Sequence, residues 1–357
     1  MKTILRILIS TIFIISGLVK AIDVKGFSFK MEEYFSASVF NLPFLEKYAL
    51  YFALFVIILE LILGIMLLLS IRAKKTTLLL IYLCIFFAFL TFYSAYFNKV
   101  TDCGCFGDAI KFTPWQSFWK DIVLLIGLII LYFTQRNNTM GPINPIQKIA
   151  LSTSVIIFGY IIFIGIDSEP IIDFRDYKIG TDLRKEKKKI DKNPAIYKTF
   201  YILKNNKTGE EREVNQDDYI NIEEYWAENS PWKILEEKTT SKMVKEGYKS
   251  EIAKFHLDDE QGNDETSNIL NEEKVILIFS YKPKDININL SSEINKLKYK
   301  YRNINILGVS PTPNTFSNIP NLSMDATAIK TIARSNPFVL ILKNGKIETK
   351  KPLKEFN

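Results

Sequence analysis

The chain has 357 residues, three cysteines, one histidine and a formal net charge of +7. Three cysteines are too few for a disulfide-stapled fold. The basic excess does not mark a nucleic-acid binder, because residues 1–167 are rich in Ile, Leu, Phe and Tyr, while in residues 168–357 the lysines alternate with Glu and Asp as on an ordinary solvated face. Length and this shift in composition divide the chain into an apolar and a polar part.

In chain order, five stretches supply the roughly 20 mostly apolar residues that a membrane helix needs: residues 4–22, 48–71, 76–97, 115–133 and 147–166. The first also fits a cleaved signal peptide, with a basic start, an apolar core and "LVKA" before Ile22. Its removal would leave four spans. The short loop "RAKK" at 72–75 has three positive charges and no negative one, which places it in the cytoplasm. Lys2 and Arg6 put the N-terminus on the same side, and Arg136 and Lys148 do so for the turn between spans four and five. Loop 23–47 mixes Lys with Glu and has no bias. On this topology the loop between spans three and four, and everything after Asp167, is extracytoplasmic. In a bacterial inner (plasma) membrane that is the periplasm.

Loop three-four carries "TDCGCFGD" at 101–108. Cys103 and Cys105 stand one glycine apart, flanked by Asp102 and Asp108. In an oxidising compartment two accessible thiols this close tend to pair. Residues i and i+2 just reach the Cα separation of a disulfide, in a small strained ring. Gly104 has no Cβ and tolerates the backbone this requires. A strained, exposed disulfide exchanges readily, and as a staple it closes too short a loop to contribute much. Redox exchange is the favoured reading. A local structural disulfide and half of a metal site, with Asp102 or Asp108 as oxygen ligands, stand beside it. Zinc usually takes four ligands, and the one histidine, His256, lies in the other half.

Cys84 sits inside span three. About 19 residues at ~1.5 Å each put it too far from Cys103 to pair, which leaves it as a small packing residue. Glu60 falls near the middle of span two, where a charge is costly. It is either a proton-relay or quinone-contact residue, or it is buried and bonded to a tyrosine or a basic residue; the second reading is slightly preferred. Lys20, Lys120 and Asp121 near the outer ends fit snorkelling or an interfacial ion pair. Trp115 and Trp119 fit an outer aromatic belt.

In the polar half, residues 168–250 read as a lead-in. The run "DLRKEKKKIDK" at 182–192 is a solvated basic segment. "YKTFYILKNNKTGEEREVN" is a hairpin with its turn at 207–209. From about residue 251 the order is β, β, α, β, α, β, β. "IAKFHL" alternates as a strand, and "KVILIFSY" is a central strand buried on both faces. "SEINKLKYKYR" is a helix, "INILGVS" a strand and "DATAIKTIARS" a helix. "PFVLILKNGKIETK" is a hairpin turning at Asn344 and Gly345.

"CGCFGD", followed by the amphipathic "PWQSFWKD" and a further span, resembles the four-helix DoxX/MauE-type membrane proteins. "RILISTIFIISGLVK", with Arg6, Phe13, Gly17 and Lys20, and "ILELILG", with Glu60 and Gly64, are similar to that family's helix patterns. The resemblance covers about residues 1–135. It implies a retained first helix and a role in assembling disulfide-rich periplasmic proteins, as MauE has in methylamine utilisation. The wider DoxX analogy implies a quinone as electron acceptor. The fifth span and the tail depart from a minimal member; the whole looks like Bacteroidetes-type DoxX-like proteins that carry such a tail. The tail's strand-helix-strand-helix-hairpin order resembles a thioredoxin-like fold, which implies that Pro337 is cis and faces the redox site. Where that fold carries C-x-x-C this chain reads "SYKPKDI" at 280–286, without a cysteine, so the domain has no dithiol of its own. It either binds a client or redox partner near Cys103 and Cys105, or is a degenerate domain kept for complex assembly.

The expectation is an α-helical membrane bundle, a four-helix DoxX/MauE-like core (1–135) plus a fifth span (136–167). A lead-in with a β-hairpin (168–250) and a degenerate α/β thioredoxin-like extracytoplasmic domain (251–357) follow. The function read from it is thiol–disulfide exchange or periplasmic protein assembly in the lipid bilayer. Its site residues are Cys103, Cys105, Gly104, Asp102, Asp108 and Glu60, with no resident metal and no nucleic-acid partner. The alternative is a non-catalytic membrane scaffold or complex subunit.

Overall fold

A computed structural model describes residues 2–100, 104–135, 143–167, 169–286 and 288–356. Two of the expected site residues, Asp102 and Cys103, lie outside the described residues, as does Arg136.

Five helices are long and apolar enough to cross a membrane: α1 (Lys2–Ile22), α4 (Ala49–Leu68), α5 (Ala73–Phe97), α6 (Pro114–Thr134) and α7 (Pro145–Asp167). Their ends follow local chemistry. Thr113 and Gln116 form a capping box ahead of Pro114, so α6 starts with its first N–H groups satisfied. Between α4 and α5, Ser70 and Arg72 take left-handed φ values of 57° and 42°, and the Ile71 N–H donates to the Met66 carbonyl at 2.8 Å, which reverses the chain in four residues.

Residues 23–47 are not the plain loop expected. They form helix α2 (Val24–Phe35) and the single turn α3 (Pro43–Glu46). Asp23 caps α2 by accepting from the Gly26 N–H at 2.9 Å. Val24, Phe27, Met31 and Tyr34 recur at helical spacing and are buried in the core of the bundle. The Tyr34 hydroxyl meets the Ser94 hydroxyl of α5 at 2.9 Å.

Helices α1 and α4 approach closely through two glycines. A Cβ on Gly17 would lie 2.8 Å from Leu61 Cδ2, and one on Gly64 would lie 2.9 Å from Ile14 Cγ1. Helix α7 is peripheral: Ile149, Ile156, Tyr160 and Phe163 are exposed. Its start is tied to the end of α4 by Gln147 Nε2, which donates to the Leu69 carbonyl at 2.9 Å.

After α8 (Leu183–Lys192) the tail builds two sheets. The first centres on β1 (Ile196–Asn205), which pairs antiparallel with β2 (Glu211–Asn215), β3 (Trp232–Ile234) and β4 (Thr240–Lys245) around Leu203, Val214, Tyr225 and Trp232. Helix α9 (Gln216–Asn221) follows β2. The second sheet comprises β5 (Lys274–Phe279), β6 (Asn305–Ser310), β7 (Asn321–Ser323), β8 (Phe338–Lys343) and β9 (Lys346–Pro352), in the order β7-β6-β5-β8-β9. Strands β5, β6 and β7 run parallel; β8 and β9 are antiparallel.

Helices α10 (Thr266–Asn271) and α12 (Ala326–Ile332) cover one face of this sheet, and α11 (Leu290–Lys300) covers the other. Val275, Leu277 and Phe279 of β5 face the first layer, and Ile276 and Ile278 face the second, so this strand is buried on both sides. Asn344 and Gly345 turn the last hairpin with φ of 50° and 72°, and the Asn336–Pro337 peptide is cis.

"IAKFHL" is not the expected strand. Ser250 caps a 3₁₀ turn over Glu251–Lys254 by accepting from the Ile252 N–H, and Ile252, Phe255 and Leu257 all enter the core. The spacing of three between Ile252 and Phe255 suits a turn and breaks the alternation of a strand. Conversely, β7 has no counterpart among the expected strands.

Candidate functional site

The loop between α5 and α6 folds back into the helix bundle. Gly104 and Gly107 take φ of +65° and +51°, a left-handed conformation that side-chain-bearing residues rarely adopt. The Gly107 N–H donates to the Gly104 carbonyl at 3.1 Å, which closes the turn. The Cys105 carbonyl then accepts from Ser16 Oγ of α1 at 2.8 Å. Ser16 lies six residues before the end of α1, roughly 9 Å down the helix. Cys105 is therefore buried, at 7% relative exposure, against the accessible position expected for it. Its thiol is free, and Phe106 beside it packs on Phe112. Burial pushes the Cys105 thiol above its usual range, against the pull of the nearby Lys120 ammonium.

Below the loop lies a chain of buried polar groups. Lys20 Nζ donates to Ser16 Oγ at 2.7 Å and to Glu60 Oε2 at 2.8 Å, and lies 5.5 Å and 5.1 Å from the ring centres of Phe27 and Phe87. Glu60, 1% exposed, thus has a basic partner, one of the two options left open for it. Lys20 itself does not snorkel, because its ammonium is taken up inside by that carboxylate. Lys120 pairs with Asp121 at 2.8 Å and faces the Phe106 ring at 5.2 Å. Asp121 also accepts from Thr91 Oγ1 at 3.3 Å, and its backbone carbonyl lies 3.2 Å from Cys84 Sγ.

These groups meet. Ser16, Lys20, Glu60, Cys84, Cys105, Lys120 and Asp121 line one small internal cavity, drawn from four helices and the loop. Cys84 is thus in the company of a loop cysteine, Cys105; the expectation from chain distance concerned Cys103, which lies outside the described residues. A signal for this existed: a cysteine and four charges on four otherwise apolar spans, each expensive if left alone in lipid.

The tail is latched onto the same end of the bundle. Arg334, buried in the segment before cis Pro337, places its guanidinium between Asp23 at 2.7 Å and Asp108 at 2.6 Å. The backbone N–H groups of Arg334 and Ser335 donate to Glu169 Oε1 at 2.8 Å and 2.9 Å. Lys330 and Lys282 both reach Glu32 of α2, at 2.7 Å and 3.3 Å. Tyr281, just after β5, sets its ring edge-to-face against Phe29 at 5.5 Å. Burial alone would raise the Asp23 carboxyl, but the Arg334 guanidinium outweighs it and holds the group below the ordinary range; Glu169 is held low in the same way by Arg175.

Asp108, one of the expected site residues, is thus engaged by the tail. Among the described residues no group of three or more His, Cys, Asp or Glu is arranged to hold a metal ion. Arg334, Asp23, Glu32 and Lys330 were not singled out from sequence, since each is an ordinary charge until the fold joins residues some 300 positions apart.

Residues 1–134 match the family model described as methylamine utilisation protein MauE. The membrane half is MauE-like. With its five apolar helices the chain is a multi-pass membrane protein. Protein TlpB of Flavobacterium psychrophilum is similar, with 32% identity over 160 residues. The match covers 43% of this chain and 42% of TlpB, so the chain spans less than half the length of this curated relative. No solved structure matches. The MauE-like region ends with α6, so α7 and the latched tail are additions to it.

Proposed function

We propose that this MauE-like protein is a membrane thiol–disulfide exchange factor serving the assembly of extracytoplasmic proteins, with Cys103 and Cys105 as the exchanging thiols. The observation that carries the reading is the burial of Cys105 in a cavity with two ammonium groups and two carboxylates. Burial raises the Cys105 thiol and the Lys120 ammonium pulls the other way, so the cavity holds a sheltered thiol with a cation beside it to meet the charge of its thiolate during exchange.

A client thiolate attacks a sulfur of the Cys103/Cys105 disulfide and releases the other as a thiol; the client's second thiol resolves the mixed disulfide. The client leaves oxidised, and the two cysteines are left reduced. The charge bias of 72–75 supports an extracytoplasmic position for the loop. The cavity is of water size, far below that of a quinone ring, so its residues do not form a quinone site.

We read the β5–β9 sheet as a thioredoxin-like cap. Its β6-β5-β8-β9 order, with Pro337 cis beside the end of β5, supports this, and Ser280 and Tyr281 stand where the dithiol of such a fold would be. Ser280 Oγ and the Tyr281 N–H both donate to Asn336 Oδ1, at 2.9 Å and 3.1 Å, so the position is built for structure. The cap covers the Cys105 loop and orients clients.

Single-cysteine variants test the exchange. Cys103→Ser or Cys105→Ser in the full-length protein is expected to trap client proteins as adducts that a reductant removes, and the double variant to trap none. No adduct in either single variant would contradict the reading. It would favour a non-catalytic scaffold, in which deleting the tail is as harmful as deleting the gene.

A further inference from the structure

We propose that Cys84 is a second redox cysteine, which forms a membrane-buried disulfide with Cys105. The inference rests on the reading of the Cys105 loop as redox-active and extends it into the bundle.

Cys84 and Cys105 line the same cavity, although one lies within α5 and the other on the loop. Both are free thiols and both are buried. A packing role alone would not require the setting around them. Lys20 and Lys120 bring two ammonium groups into the cavity, and Glu60 and Asp121 bring two carboxylates. Charges inside membrane bundles mark functional positions. Cys84 also presents its S–H to the Asp121 carbonyl, which orients the thiol within the site.

The step is a thiol–disulfide exchange. Cys105 first holds a partner as a mixed disulfide. The Cys84 thiolate attacks Cys105 Sγ, the Cys84–Cys105 bond forms, and the bond from Cys105 to the partner breaks. The partner leaves as a thiolate and takes up the proton that Cys84 has lost. The two cysteines are oxidised by two electrons, and the partner disulfide is reduced by two. In the reverse step a partner thiolate attacks Cys105 Sγ, the Cys105–partner bond re-forms and Cys84 leaves as a thiolate, so Cys84 stores an oxidising equivalent where solvent does not reach it.

The test uses the full-length Cys103→Ser protein in membranes, oxidised with diamide, blocked with a maleimide and digested for mass spectrometry. The expected result is a peptide linked through Cys84 and Cys105, with loss of Cys84 alkylation. The Cys84→Ser, Cys103→Ser double variant should leave Cys105 free. Serine keeps a donor to the Asp121 carbonyl, so this variant removes the sulfur and leaves the hydrogen bond in place. Complete alkylation of both Cys84 and Cys105 after oxidation and denaturation overturns the inference. The wild-type protein treated in parallel separates the two readings. A link between Cys103 and Cys105 there, with none between Cys84 and Cys105 in the variant, leaves the exchange loop standing and removes Cys84 from it. Absence of both links removes both.

Discussion

At the scale of residues, the Lys20–Glu60 pair dominates the bundle interior. Both side chains are almost fully buried, 2.8 Å apart. Breaking such a pair by removing one partner costs about 3–5 kcal/mol, because the survivor is left charged and uncompensated, whereas replacing both by apolar groups is close to neutral. Glu60→Gln is therefore expected to lower the thermal stability of the purified protein strongly, and Lys20→Met with Glu60→Met to restore most of it. Equal loss in the single and double variants would show that the pair does not act as a unit. The sequence shows that Glu60 needs a partner, since a lone carboxylate does not persist in lipid. It does not show which one, because Lys20 is 40 positions away and is brought near only by the close contact of α1 and α4.

At the scale of elements, that contact depends on Gly17 and Gly64, where a side chain would collide with Leu61 and Ile14. Gly64→Leu should separate the two helices and weaken the Lys20–Glu60 bond, seen as a fall in thermal stability comparable to Glu60→Gln. Full stability of this variant would contradict the packing. The five spans are readable from hydropathy, since about 20 apolar residues in a row have few other uses. Helix α2 is less readable: its apolar stripe of Val24, Phe27, Met31 and Tyr34 is present, but charges between those positions hide it. The descent of the Cys105 loop is not readable. It depends on two glycine φ values and on the Ser16 hydroxyl, 89 positions away, as partner for a carbonyl that would otherwise be unsatisfied. The hairpin at Asn344 and Gly345 is readable because its turn chemistry is local.

At the scale of the whole molecule, the tail is held to the bundle by charge. Asp23, Glu169 and Asp173 all have carboxyls below their ordinary ranges, Asp173 at about 2, with Arg334 beside the first and Arg175 beside the other two. A depressed carboxyl contributes stability that is complete above its unfolded value, 3.8 for Asp, and is lost as pH falls through the lower folded value. The latch should therefore survive mild acid. The protection of the amides of residues 330–336, relative to their intrinsic exchange at each pH, is expected to be unchanged from pH 7 to pH 5 and to fall only below about pH 4. Loss of protection already at pH 5 would contradict this assignment. Arg334→Gln should raise exchange in the same segment at pH 7 and leave the helices of the bundle unaffected. A tail released by this substitution would also expose the Cys105 loop to larger maleimides.

The central claim is that the loop cysteines exchange electrons. The most direct measurement is the redox state of Cys103 and Cys105 in native membranes, by alkylation before and after denaturation because Cys105 is buried, followed by titration against glutathione. The account predicts a reversible disulfide with a potential of about −120 to −200 mV, in the range of known oxidising catalysts. Thiols that stay reduced, or a disulfide that resists reduction, would contradict it.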